Sequence, residues 1–181
     1  MITVIGLGNE RGDLTKRGEE VILQAKKVGA KIAVRTANTR SYQSVVDLGV
    51  EHVCLDYVYE KSRNFRTLTK NLASAVLALG ENTVYLVDGA PSEDTSVKAL
   101  IKRKRGKIRV IDGVSKITSI AREANFEGCS YSAVSAYELL EHAGELSLPL
   151  IVYDLDDQAL ASDCKLLTII RARWRLKSSI F

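Results

Sequence analysis

The chain has 181 residues, of which 46% are hydrophobic and 27% charged, a balance typical of a globular protein rather than a disordered or fibrous one. It contains no apolar run of about 18 residues, and its N-terminus lacks the basic and apolar regions of a secretory signal, so we expect a cytoplasmic protein without a membrane span. The three cysteines and two histidines form no ligand-like cluster, so no metal site is expected.

The formal net charge is +4, and the basic residues concentrate around residues 98–109 and residues 171–177. Such clusters can contact nucleic acid phosphates. However, the first cluster has no aromatic residues for base stacking, and its cations are also favoured at the C-terminal end of a helix. The sequence therefore argues against nucleic acid binding.

The N-terminus combines an apolar run over residues 2–5 with a turn that contains Gly6, Gly8 and Gly12. The run is typical of a strand buried on both faces of a parallel sheet. The glycine spacing misses the dinucleotide pattern G-x-G-x-x-G by one position, and the G-K-[ST] of a P-loop is absent. A nucleotide-type ligand and a merely tight strand-to-helix turn both remain open at this point.

The remaining chain alternates predicted helices and strands. The first helix is expected to begin near Lys16, with Asp13 or Thr15 as its N-cap, and to end at Gly29. Residues 56–64 show no clear period and are interpreted as a loop. Further strands are predicted over residues 31–36, 52–55, 82–88 and 107–111, and further helices over residues 41–48, 65–79 and 117–124, together with one capped by Ser92 or Asp94.

This alternation predicts an α/β fold with a parallel, doubly wound sheet of about five strands and right-handed crossovers. Three strand-to-helix turns, at residues 6–13, 88–91 and 112–115, should then lie at the same edge of the sheet. Asp88 and Asp112 each end an apolar strand, where a carboxylate can accept hydrogen bonds from a ribose or an ammonium group.

With these turns, the chain resembles the tetrapyrrole (corrin/porphyrin) methylases, the class III S-adenosylmethionine methyltransferases. It is most similar to the branch found beside MazG-type nucleotide pyrophosphohydrolases. The resemblance covers roughly residues 1–168. Its motifs are Ile2-Thr3-Val4-Ile5-Gly6-Leu7-Gly8, Gly12-Asp13-Leu14-Thr15, Asp88-Gly89-Ala90-Pro91 and Asp112-Gly113-Val114-Ser115.

The resemblance implies two α/β domains with S-adenosylmethionine in the cleft between them, held largely by backbone groups of the turns. It also implies a homodimer. We assign no catalytic residue, because the sulfonium is already a strong electrophile and positioning does most of the work. The candidate cofactor-binding residues are Gly8, Asp88, Gly89, Pro91, Gly113 and Ser115.

Two features depart from the family pattern. The family's first loop usually has Gly-x-Gly-Pro-Gly-Asp, whereas here Asn9-Glu10-Arg11 separates Gly8 from Gly12 and the proline is missing. Residues 1–145 are expected to form the N-terminal methylase-like domain, and residues 146–181 the start of a second domain, cut short and ending in a basic tail. Residues 148–167 should then leave exposed apolar surface that a dimer could cover.

Two functions follow from the resemblance. The first is an S-adenosylmethionine-dependent methyltransferase-like protein with an unknown acceptor, whose activity the short second domain leaves undecided. The second is a non-catalytic ligand-binding or regulatory module that partners a MazG-type nucleotide pyrophosphohydrolase. A dinucleotide-dependent oxidoreductase is disfavoured, because no acidic residue follows the second strand at Thr36.

Overall fold

The computed structural model describes residues 1–104, 106–126, 128–141, 149–155 and 158–178, with side chains described up to residue 168. The strands are β1 Ile2–Gly6, β2 Lys31–Val34, β3 Val53–Cys54, β4 Thr83–Val87, β5 Ile108–Ile111, β6 Ser132–Ser135 and β7 Leu150–Tyr153. The helices are α1 Lys16–Lys27, α2 Tyr42–Asp47, α3 Asp56–Glu60, α4 Phe65–Leu79, α5 Thr95–Arg103, α6 Lys116–Glu123, α7 Ala136–Glu141 and α8 Gln158–Ser178, with a 3-10 turn at Pro91–Glu93.

The first of two compact units, Met1–Lys116, contains a five-stranded sheet. Its strand order is β3-β2-β4-β1-β5, and every pairing is parallel. β1 lies between β4 and β5, with Ile2 opposite both Thr83 and Ile108. The predicted α/β fold with a parallel five-stranded sheet is confirmed.

Helices cover both faces of this sheet. Alternate residues of β1 enter different cores, since Val4 packs in one cluster and Ile5 in the other, and both are fully buried. α1 and α2 contribute Ile22 and Val45 to the cluster that contains Ile5. α3, α4 and α5 contribute Val58, Leu68, Leu72, Ala73, Val76, Val97 and Leu100 to the opposite cluster. Burial on both faces explains why β1 and β4 are nearly continuous apolar runs.

Helix caps resolve the choices that the sequence left open. Thr15 caps α1, because its side chain accepts a hydrogen bond from the backbone N–H of Gly18. Asp94 caps α5 through the N–H of Val97. α4 matches its predicted bounds, with Asn64 as the N-cap. Each of these side chains satisfies a backbone donor that the first helical turn leaves without a partner.

The prediction that residues 56–64 form a loop was wrong for the first five of them, which form α3. Val58 is 5% exposed in the core, so tertiary packing stabilises a helix too short to show a periodic pattern. Tyr59 packs against the same core. Tyr57 is exposed, and the Lys61 ammonium lies 5.3 Å from the centre of its ring.

The second compact unit, Ile117–Phe181, holds β6 and β7 as a two-stranded parallel sheet. Its core contains Ala136, Leu139 and Cys164. The family resemblance also implies a strand over residues 148–155 and a helix over residues 156–167. β7 lies within the first range and α8 extends beyond the second, whereas β6 and α7 were not predicted. The predicted domain boundary at residues 145–146 lies outside the described residues, as do Leu148 and Asp156. In the part of the chain described here, no helix combines the length and hydropathy needed to cross a membrane.

Leu72 on α4 tests the predicted core of the first unit. It is fully buried, so Leu72→Ala should lower the free energy of unfolding by about 2–5 kcal/mol through lost burial and the cavity left behind. Ile101 on α5 is 40% exposed, and Ile101→Ala should cost within about 1 kcal/mol. Urea unfolding followed by circular dichroism measures both. Equal losses for the two variants would contradict this assignment of the core.

Candidate functional site

The turns after β1 and β4 meet at the carboxyl edge of the sheet. The chain leaves β1 toward β2 on one side and leaves β4 toward β5 on the other, so these adjacent strands mark a switch point, where α/β sheets bind ligands. Gly8 and Gly89 form an isolated antiparallel bridge, in which the Gly89 N–H donates to the Gly8 carbonyl over 2.7 Å. The first two predicted turns are therefore joined through their backbones.

The backbone of the turn after β5 lies in close contact with the turns after β1 and β4. A Cβ placed on Gly113 would lie 2.6 Å from the Gly89 carbonyl oxygen and 2.8 Å from that of Gly6. A Cβ on Gly6 would likewise lie 2.5 Å from the Gly89 oxygen. Neither Gly6 nor Gly113 has a positive φ, so glycine is required here because of backbone contact rather than conformation.

Asp13 organises the rearranged first loop. Its Oδ2 accepts hydrogen bonds from the backbone N–H groups of Asn9 over 2.9 Å and Glu10 over 3.0 Å. Gly8 has a φ of 78°, and a Cβ there would overlap the side chain of Asp13. The backbone of Asn9 and Glu10 is thus folded back onto Asp13, which explains how the loop closes without the proline of the family pattern.

A buried arginine links the ends of β2 and β4. Arg35 directly follows β2, and its Nη1 donates to Asp88 Oδ1 over 3.2 Å. Its Nε lies 3.2 Å from Asp94 Oδ2, an ion-pair contact without hydrogen-bond alignment. The side chains of Arg35, Asp88 and Asp94 are only 16%, 10% and 3% exposed. One cation therefore serves two largely buried carboxylates.

Tyrosines and a serine extend this polar group into the core. The Tyr85 hydroxyl hydrogen-bonds Ser96 Oγ over 2.9 Å, and Ser96 Oγ donates to Asp94 Oδ1. The Arg35 guanidinium lies 5.9 Å from the centre of the Tyr59 ring. Burial raises the pKa of Tyr59 to about 12, so its hydroxyl stays neutral. The Asp94 carboxylate and the Tyr59 ring thus fix the Arg35 side chain at this edge of the sheet.

The electrostatics of the cluster favour its charged forms. Burial alone would lower the pKa of Arg35, but the negative charges of Asp94 and Asp88 raise it above the ordinary value. Burial alone would raise the pKa of Asp88, and the positive charges of Lys116 and Arg35 lower it below 3.8. Both groups are consequently charged at neutral pH.

Lys116 closes the cluster from the solvent side. Its ammonium forms an ion pair with Asp88 Oδ2, and its side chain is 46% exposed. Glu93 engages the same turn, because it accepts hydrogen bonds from the hydroxyl of Ser115 and, over 2.9 Å, from the backbone N–H of Lys116. Asp88 in the second turn and Ser115 in the third turn are thus already paired with other side chains of this protein.

The six candidate residues lie in these three connected turns. Pro91 is buried at the start of the 3-10 turn, and its Cδ lies 2.8 Å from the position of a Cβ on Gly6. The structure brings Gly8, Asp88, Gly89, Gly113 and Ser115 to the same edge. Asp112, which directly follows β5 in the third turn, is exposed. Their role in holding a cofactor stays a prediction.

Sequence analysis missed four charged residues of this site. Asp94 was named only as a possible helix cap, and Arg35 lay within the predicted second strand. Glu93 and Lys116 were not singled out. For Arg35 a signal existed: an arginine directly after a buried apolar strand lies at the ligand edge and needs a carboxylate there. For Glu93 and Lys116 no such signal existed, because both are ordinary surface residues by type.

The sequence also drew attention to the cysteines and to the basic clusters. Cys54 is partly exposed and its Sγ donates to Asp56 Oδ2 over 2.8 Å, and burial raises the pKa of the thiol. Lys102 and Arg103 lie in the last turn of α5, as the helix-end interpretation requires. Arg105 and the side chains of residues 171–177 fall outside the described part. Among the described residues, no group of three His, Cys, Asp or Glu could hold a metal ion.

Comparisons with known proteins give structural likeness only. No protein-family model matches the sequence, and no curated protein matches it. The chain is similar to a diphthine synthase (22% identity, TM-score 0.48, covering 75% of this chain and 54% of that one). It is also similar to uroporphyrin III C-methyl transferase from Thermus thermophilus (14%, 0.48, 75% and 55%) and to a cobalt precorrin-4 methyltransferase (15%, 0.47, 74% and 56%). The chain spans little more than half the length of these structures.

Gly113 tests the contact between the turns. Gly113→Ala should lower the free energy of unfolding by about 3 kcal/mol, because its methyl group meets backbone atoms that cannot move aside. Gly106→Ala is the matched control, since Gly106 has a φ of 77° and open space around it, and should cost about 1 kcal/mol for conformation alone. Thermal unfolding of both variants measures the difference. A smaller loss at residue 113 than at residue 106 would refute the close contact.

Asp88 should make stability depend on pH. Because its folded pKa lies below 3.8, its contribution to stability is complete above that value and is lost as the pH falls from 3.8 through the folded pKa. Asp88→Asn removes this contribution. The difference in unfolding free energy between the native protein and this variant should therefore shrink between about pH 6 and about pH 2, measured by urea unfolding. A difference that stays constant over this range would contradict the ion pairs of Asp88.

Proposed function

We propose that this protein binds S-adenosylmethionine at the three joined turns and is a methyltransferase-like member of the tetrapyrrole methylase family. The observation that carries the proposal is the backbone contact among the turns at Gly6, Gly89 and Gly113. Such contact leaves peptide N–H and C=O groups, rather than side chains, at the switch point of the sheet. A nucleoside ligand held largely by backbone groups suits this arrangement.

The charge of the site suits the cofactor. The turns approach so closely that a Cβ at Gly6 or Gly113 would meet the Gly89 carbonyl oxygen, so the backbone forms this edge. Asp88 supplies a carboxylate at the same edge, and it is ionised because its pKa is lowered. A carboxylate there can accept hydrogen bonds from a ligand's ribose hydroxyls or ammonium group.

S-adenosylmethionine itself would supply the electrophilic methyl group. The turns of this chain would orient the ligand and keep water from it, and positioning of this kind accounts for most of the acceleration in such transfers. The proposal covers the ligand and the class of reaction and leaves the methyl acceptor unnamed.

A second candidate function is a non-catalytic ligand-binding or regulatory module that partners a MazG-type nucleotide pyrophosphohydrolase. One observation favours it: Glu93 and Lys116 fill polar positions of the second and third turns. A site whose polar groups are paired with the protein's own side chains suits a protein that senses its ligand. This second function would involve the same ligand as the first but no methyl transfer.

A homodimer remains part of the proposal. Leu155 and Leu166 of the second unit are 48% and 59% exposed, which supports the expectation of apolar surface within residues 148–167. Surface of this kind is commonly covered by another chain. A cytoplasmic location likewise stays a prediction.

Isothermal calorimetry tests the ligand. S-adenosylmethionine and S-adenosylhomocysteine should bind with Kd below about 1 mM, or more than about 4 kcal/mol of binding free energy, and NAD⁺ should not bind. Gly89→Ala strains the second turn, because Gly89 has a φ of 69°, and should weaken binding about tenfold, a loss of about 1.4 kcal/mol. Gly106→Ala, with a similar φ outside the site, should bind as the native protein does.

Absence of heat with both adenosyl ligands would overturn the proposed function. If Gly89→Ala and Gly106→Ala weaken binding equally, the ligand does not bind at the turns. If the ligands bind but S-adenosylmethionine is not consumed in the presence of a cell-extract acceptor pool, the non-catalytic module is the better description.

A further inference from the structure

Two cations of unequal mobility share the Asp88 carboxylate. Arg35 holds Oδ1 and is itself 16% exposed, fixed by Asp94 and by the Tyr59 ring. Lys116 holds Oδ2 from a side chain that is 46% exposed. Arginine here is part of the buried structure, whereas the lysine side chain can turn outward into solvent by giving up its ion pair with Asp88 Oδ2.

The backbone of Lys116 stays in place when its side chain moves. Glu93 accepts a hydrogen bond from the Lys116 backbone N–H and a second one from the Ser115 hydroxyl. The aliphatic part of the lysine covers the second turn, since a Cβ on Gly89 would lie 3.0 Å from Lys116 Cγ. Outward movement of the Lys116 side chain therefore uncovers both Asp88 Oδ2 and Gly89.

Charge balance determines what can replace the lysine. Arg35 and Lys116 together neutralise Asp88 and Asp94. When the ammonium of Lys116 leaves, one negative charge remains uncompensated on a carboxylate that is only 10% exposed. A neutral hydroxyl, such as that of a ribose, accepts this position at the cost of an unpaired buried charge, whereas a ligand ammonium restores neutrality.

We propose that Asp88 is the recognition residue for a ligand's ammonium group and that Lys116 is its internal stand-in, displaced when the ligand binds. This inference rests on the proposed function and makes it specific, because S-adenosylmethionine and S-adenosylhomocysteine each carry one α-ammonium group. A carboxylate at this edge could accept hydrogen bonds from a ribose hydroxyl or from an ammonium group, and this inference assigns the ammonium group to Asp88. Lys116 then weakens binding by competing for Oδ2.

The test compares S-adenosylhomocysteine with its deaminated analogue, in which hydrogen replaces the α-ammonium, by calorimetry on the full chain. The native protein should bind the parent compound more tightly than the analogue. Lys116→Met should tighten binding of the parent compound about tenfold. This value is expected if the Lys116 ammonium leaves Asp88 Oδ2 accessible about a tenth of the time, because the substitution removes this competitor. The same substitution should leave the affinity for the analogue within about twofold.

Two further variants serve as controls for the loss of charge and for the role of Asp88. Lys104 forms a surface ion pair with Glu81, with Nζ and Oε1 3.1 Å apart, so Lys104→Met removes an equivalent charge outside the site and should change neither affinity. Asp88→Asn should abolish the preference for the ammonium compound. Thermal unfolding identifies an unfolded Asp88 variant, and in that case the Lys116 comparison alone decides.

The outcomes separate the two proposals. If the parent compound and its analogue bind equally and Lys116→Met changes nothing, the ammonium assignment is overturned while the proposed function stands. If neither compound binds the native protein or Lys116→Met, the proposed function fails and the assignment falls with it. A parent-specific gain in the Lys116 variant, absent in the Lys104 variant, supports both.

Discussion

The structure of the site depends on the backbone contact among the turns that follow β1, β4 and β5. Gly6 and Gly113 cannot carry a Cβ, because the Gly89 carbonyl oxygen lies where that atom would be. This contact requires the three strands to be neighbours in the sheet, and the order β4-β1-β5 provides that arrangement. The central, fully buried position of β1 therefore has a purpose beyond stability, since it brings three segments distant in sequence to one edge.

The buried charges complement this contact. Placing a guanidinium and two carboxylates under the sheet edge is unfavourable unless they are paired, and Arg35 pairs with both Asp88 and Asp94. Asp94 also caps α5 and accepts from Ser96, so one carboxylate fixes the helix, the core tyrosine network and the arginine. The consequence is a rigid Asp88 beside flexible solvent-side groups. Rigidity is what a recognition carboxylate needs, because a group held in place loses little freedom when the ligand arrives.

Sequence reasoning found the parts of the fold whose signals are local. β1 and β4 are recognisable as apolar runs because both faces are buried, and α4 is long enough to show its period and to match its predicted bounds. α3 was missed because five residues cannot show a period, and its stability comes from Val58 in the core. The three turns were identified through glycine and their shared edge. Arg35 and Asp88 were not paired, since 53 residues separate them and only the strand order brings them together.

An internal lysine in a recognition site lowers the affinity for the ligand and keeps the buried carboxylate paired while no ligand is bound. Without Lys116, the free protein would leave the charge of the largely buried Asp88 only partly compensated. With Lys116 in place, a ligand must first displace an ion pair, and only a ligand that returns a positive charge to Asp88 recovers the energy of that pair. Because Arg35 remains bound throughout, the site changes by one mobile charge and the fold beneath it does not move. The separation of a fixed cation from a movable one thus allows this edge of the sheet to distinguish ligands by charge.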